Sequence, residues 1–142
     1  MDLVGNQTWD LAVTADALAG VLTANKVALY QNDIIPTPNR PLGDYTEATY
    51  SGYAKEAITW SAPTLADDGS VEVLGIVGEF RPTSSVVVNS IYGLMLVDTT
   101  GAILYAAARF DATPLPMNST LDAIVVTVRV RIAAGGVVVT VS

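Results

Sequence analysis

The sequence predicts an all-β fold: an antiparallel β-sandwich, jelly-roll-like, preceded by a short N-terminal helix and an arm. Three observations carry that expectation. Apolar residues make up 51% of the 142-residue chain, and beyond Lys26 they fall in short valine-rich runs rather than at helical spacing. Turn residues punctuate those runs, notably Asp67-Asp68-Gly69-Ser70 and Asp98-Thr99-Thr100-Gly101. Finally, residues 120–132 alternate: Val126, Val128, Val130 and Ile132 share one parity, and Thr127, Arg129 and Arg131 share the other. A half-buried antiparallel strand with one wet side has that pattern.

Residues 1–25 read as the arm and short helix, and residues 26–142 as the sandwich domain. Leu11, Ala15, Leu18, Ala19 and Leu22 recur at helical spacing, with Thr14 or Asp16 as cap, which predicts a helix over 14–23. The stretch before Trp9 has two readings, a frayed terminus or an extension that docks on a neighbouring subunit. Val27, Ala28, Leu29 and Tyr30 open the first strand. Pro36, Pro38 and Pro41 cannot donate to a ladder, so residues 31–42 form a long connection. Residues 43–48 suit one helical turn, and residues 55–61 the next strand, closed by Pro63. The 67–70 turn places Gly69 where a positive φ is needed.

Long strands are expected over 71–80 and 85–97, separated by Arg81-Pro82-Thr83. Both parities of 86–97 are apolar, so this strand should sit inside the sandwich and also meet something outside it. The 98–101 loop leads into a strand over 102–110, and Thr113-Pro114-Leu115-Pro116 breaks the run before 120–132. After Gly135-Gly136, residues 137–142 are a neutral β-former that would be an aggregation hazard as a free edge. That segment must pair, either within its own sheet or with a neighbouring subunit.

Composition narrows function. With no histidine and no cysteine, no Ser-His-Asp or Cys-His nucleophile and no nitrogen or sulfur metal cage can be assembled. Lack of cysteine also fits a reducing compartment. Seven basic against fourteen acidic residues leave a net charge of −7 and a pI near 4.2, which pushes the protein away from phosphate backbones. Only 15% of residues are charged and the mean hydropathy is +0.43, so surplus apolar surface must be covered. No segment approaches the roughly 18–20 uninterrupted apolar residues that span a bilayer, so neither a membrane nor nucleic acid is an expected partner. Subunit interfaces are the natural place for the surplus. The start, Met1-Asp2-Leu3-Val4-Gly5-Asn6, lacks a basic region, so the chain reads as unprocessed and made in the cytoplasm.

No constellation rises to a catalytic, cofactor or metal site, and the chain is not expected to be an enzyme. Glu79, Arg81, Arg109 and Asp111 lie near strand ends and could supply an acid–base pair, but a surface salt bridge accounts for them better. Lys26 and Lys55 sit in no nucleophile motif. Asp67-Asp68-Gly69 and Asn32-Asp33 are oxygen clusters of the type calcium takes, without the full loop that calcium requires. Gly75 and Gly78 fall within a strand rather than before a helix, so no phosphate cradle is implied. Trp9, Tyr45, Tyr50, Tyr53 and Trp60 could form a sugar-binding platform, with core or interface packing as the commoner use.

Several segments together resemble a group of small tailed-phage virion proteins. They are Val27-Ala28-Leu29-Tyr30-Gln31-Asn32-Asp33 before Pro36-Thr37-Pro38, then Leu42-Gly43-Asp44-Tyr45-Thr46-Glu47-Ala48 and Ser51-Gly52-Tyr53-Ala54. Ile91-Tyr92-Gly93, the turn from Val97-Asp98 to Gly101, and Arg109-Phe110-Asp111 are similar as well, in the same order over roughly residues 11–130. The valine-rich end after Ala133 departs from the pattern. The resemblance implies a particle component in the virion with no enzymatic activity. The most concrete expectation is a capsid decoration, or cement, protein that binds the major capsid protein and itself, as a homotrimer. The alternatives are a tail or fibre-attachment component and a carbohydrate-binding β-sandwich module.

Overall fold

The computed structural model describes residues 24–37, 40–84, 89–111, 114–133 and 136–141, with the backbone alone at 133 and 136–141. The strands are β1 (Lys26–Tyr30), β2 (Glu56–Trp60), β3 (Thr64–Leu65), β4 (Val71–Val77), β5 (Asn89–Ile91), β6 (Gly93–Val97), β7 (Leu104–Arg109), β8 (Leu115–Met117), β9 (Thr127–Ala133) and β10 (Gly136–Val141). A 3-10 turn at Leu42–Asp44 is the one helical element among the described residues. The predicted N-terminal helix and arm lie outside those residues.

All pairings are antiparallel. One sheet runs in the order β10-β9-β4-β2-β1-β6-β7, with β3 beside β4, and β5 and β8 form a separate two-stranded ribbon. The core shows how that sheet is shaped. Val128 and Val130 of β9 share one apolar cluster with Leu94 and Leu96 of β6 and Ala106 and Ala108 of β7, although β4, β2 and β1 lie between them in the sheet. The sheet must therefore curl, like half a barrel, around its own side chains. Ile91 of β5 and Met117 of β8 enter the same cluster, so the ribbon covers the open side. The all-β antiparallel expectation holds. Where two stacked sheets were expected, a single curled sheet encloses most of the core.

Residues 89–97 do not form one strand. Ile91 belongs to β5 and Gly93 to β6; between them the Tyr92 N–H donates to the Tyr30 carbonyl and the Tyr92 carbonyl accepts from the Phe110 N–H, each at 2.9 Å. The break at Pro114–Pro116 holds, since β7 ends at Arg109; beyond it Leu115–Met117 pairs with β5 in a ribbon where Pro116, opposite Ser90, sits on an edge and needs no second ladder partner. The predicted 120–132 strand begins only at Thr127; upstream, Ile124 makes an isolated bridge to Phe80. Turns fall where expected, with φ of +84° at Gly69 and +77° at Gly101. β10 pairs within its own sheet, from Gly136 opposite Ala133 to Val141 opposite Val128.

The apolar content of both faces of β1 and β6 has a local cause. Val27, Leu29, Leu94 and Leu96 point into the curl. Ala28, Tyr30, Met95 and Val97 point out and form a second cluster with Tyr45 and Ala107, flanked by Ile34, Leu42, Tyr92 and Leu104. The proline-marked connection thus folds back over the sheet as a lid of the chain's own making, pinned where Gln31 N–H donates to Thr46 O (2.8 Å) and Ala48 N–H to Leu29 O (2.9 Å).

β9 carries the predicted alternation. Val128 and Val130 are fully buried while Arg129 and Arg131 are exposed. Val128→Ala should cost ~1–3 kcal/mol. Arg129→Ala, which breaks only the exposed 3.2 Å pair with Glu72, should cost under ~0.5 kcal/mol. Thermal unfolding of the two variants checks the register; a larger loss at Arg129 would contradict it.

Candidate interaction surface

The outer face of β2, β4 and β9 carries exposed side chains of two kinds. Register aligns Thr59, Ile76 and Thr127 in one row across the three strands, and Leu74 with Arg129 and Glu72 with Arg131 in the next rows. Two-residue periodicity keeps these side chains opposite the core-facing Val73, Val77, Val128 and Val130. Along this face the character changes. At one end Arg129 pairs with Glu72, and Arg131 with Asp68. At the other, Ile76 is 54% exposed and Val125, two residues before Thr127, is 64% exposed. Ala57 and Thr59 beside them are also exposed and uncharged. Leu121, at 88%, adds a further apolar side chain on the segment leading to Val125.

The charged end is built from a turn. Asp68 accepts from the Ser70 N–H (2.9 Å) and hydroxyl (2.6 Å), and its other oxygen takes the Arg131 guanidinium. Those Ser70 hydrogen bonds, with Arg131 adding to them, hold the Asp68 carboxyl below the usual carboxylate range. Asp98 is lowered likewise by the Ile103 N–H and the Thr100 hydroxyl. Both carboxylates are occupied in turn-making. Asn32 is similarly engaged, donating to Asp44 O and accepting from Thr46 N–H, each at 2.8 Å. Among the described residues no three acidic side chains gather into a metal-binding group.

The strand-end set divides. Arg81 pairs with Glu79 at 2.6 Å, whereas Arg109 pairs with Asp33 at 2.7 Å and lies 5.1 Å above the Tyr92 ring. Lys55 pairs with Glu47 at 2.7 Å, over a pocket of about 170 Å3 floored by Ala28, Met95 and Val97.

The described aromatic residues do not form a platform. Tyr50 meets Tyr53 edge-on at 5.3 Å, Tyr53 stacks on Phe80 at 6.4 Å, and Tyr45 meets Tyr30 edge-on at 5.1 Å, with Tyr45 and Tyr50 buried. Trp60 packs against the core and donates to Ala24 O at 2.8 Å; Trp9 lies outside the described residues. Burial is the leading cause that raises the phenols of Tyr30, Tyr45 and Tyr53 and pushes Tyr50 up to about 12. The sign of the consequence is fixed. A raised folded-state pKa leaves stability intact below the unfolded value of about 10 and removes it as pH climbs from there toward the folded value. Alkaline titration should show tyrosinate absorbance rising together with loss of the β circular-dichroism signal between about pH 10 and 12. Full ionisation near pH 10 with the fold intact would contradict the burial.

Ile76 and Val125 were not singled out in the sequence. Their outward parity was readable, since Ile76 shares it with Glu72, and Val125 with Thr127 and Arg129; their exposure depended on which face the lid covers. No protein-family model, curated protein or solved structure matches the chain.

Proposed function

We propose that this protein is a structural component of a tailed-phage virion, a decoration protein that docks on the assembled capsid shell and reinforces it by binding alone. The observation that carries the reading is the uncharged row of Thr59, Ile76 and Thr127, with Ile76 and nearby Val125 exposed, in a chain whose outward apolar face on β1 and β6 is already covered by its own connection. Its partner on the particle is the major capsid protein. Apolar burial at about 25 cal/mol per Å2 supplies the cohesion, and the net charge of −7 keeps the free protein soluble. The sequence resemblance points the same way. In this reading the curled sheet works as a jelly-roll-like sandwich, its β4-β9 half facing its β6-β7 half, and the protein acts as an oligomer, with the homotrimer as the form on the shell.

Ile76→Lys combined with Val125→Lys tests the docking face. Both side chains point outward, so the fold should persist, while co-sedimentation with shells assembled from the major capsid protein should weaken at least about 100-fold, as expected when charge is driven into an apolar contact. Unchanged binding by the folded double variant would remove this face from the interface.

A further inference from the structure

A sheet with two ends presents two edges, and here they differ. Among the described residues β7 and β10 each have one ladder partner. The β7 edge is blunted in the ways proteins commonly protect an edge. Its register shifts between Leu96 and Val97, which pair with Ala106 and Leu104 and leave Tyr105 as an extra residue, and it ends at Arg109, held by Asp33 and Tyr92. Among the described residues β10 has no such device. Its six residues, Gly-Val-Val-Val-Thr-Val, contain no charge and no proline and run against β9 in unbroken register.

Charge selects what can add there. A chain of net charge −7 repels its own copies over most approaches. At the β10 border the strand is uncharged, and the next strand inward carries Arg129 and Arg131, whose charges Glu72 and Asp68 already answer. Two copies can meet there without bringing acid against acid.

We propose that β10 is a self-association edge, at which a second copy of this chain adds its own β10 in antiparallel pairing about a two-fold axis. Identical strands so paired satisfy each other's outward N–H and C=O groups, and the two-fold closes the contact so that growth stops at two sheets. The proposal rests on the oligomeric reading above and names its contact. It adds a two-fold junction to the three-fold arrangement expected on the shell, so isolated protein should form even-numbered species.

Val138→Glu with Thr140→Glu tests it. These positions stand in register with Arg131 and Arg129 of the same molecule, so within the parent sheet each acid faces a neighbouring arginine that it can share with Asp68 or Glu72, whereas a symmetric pair would crowd the acids of two copies together. Light scattering of the wild type should give a mass of twice 14.8 kDa or an even multiple, and the variant should associate about 100-fold more weakly at unchanged melting temperature. Hydrogen exchange should show alternate amides of 137–141 gaining protection as wild-type concentration rises. A monomer at all concentrations, or an oligomer that survives the two glutamates, would overturn the proposal. Shell binding is read separately with the Ile76 and Val125 variant, which leaves β10 untouched, so failure of either reading is seen independently of the other.

Discussion

Gly93→Ala is expected to abolish folding. Gly93 opens β6 opposite Arg109, and a methyl group there would run into the backbone oxygen of Ala108 and into the ring and hydroxyl of Tyr30. Neither obstacle can give way. The Ala108 oxygen belongs to the β7 strand, and Tyr30 is fully buried under the edge of Tyr45. Relief would require parting β6 from β7 or expelling Tyr30 from the outer cluster, and either route costs a large share of the ~5–15 kcal/mol that stabilises an ordinary domain. Expression with circular dichroism and thermal melting reads the result; a folded variant melting within a few degrees of the wild type would contradict the close approach of Tyr30 to β6.

Phe80→Ala should be the most damaging side-chain truncation, at ~3–5 kcal/mol. Phe80 is buried in the inner cluster, stacks on Tyr53, and through its backbone exchanges two 2.9 Å hydrogen bonds with Ile124. Removing the ring opens a cavity where the inner cluster meets the segment that leads into β9. Tyr53 loses its stacking partner there, and its hydroxyl, which accepts from Leu29 N–H at 3.1 Å, helps hold β1. Chemical denaturation gives the measurement, and a loss below ~1 kcal/mol would mean that the site collapses around the missing ring.

What was readable in the residues followed from local physics. The period-two pattern of Val126 to Ile132 placed Val128 inward and Arg129 outward, and Gly69 and Gly101 marked turns that only a positive φ completes. Features decided by distant partners were not readable. The apolar residues on both parities of 86–97 give no sign that the chain changes sheets at Tyr92, whose N–H bonds Tyr30, sixty-two positions away in the chain, so one expected strand became parts of two sheets. Pro114 and Pro116 correctly excluded a central strand but left an edge ribbon open. The dual apolar faces of β6 were visible, whereas the identity of the outer cover was not: Tyr45 and Leu42 reach it through the proline-rich connection rather than from another subunit. For the same reason the proposed docking surface lies at Ile76 and Val125 and not on β6, where the sequence suggested an external contact.

The proposed role makes this chain a stoichiometric part of a virion shell. Quantitative mass spectrometry of purified particles from the genome that encodes it measures that stoichiometry. This chain should be present in copy numbers comparable to the major capsid protein and retained through gradient purification. Absence from the particle would contradict it, and a handful of copies per particle would move the protein from the shell to the tail.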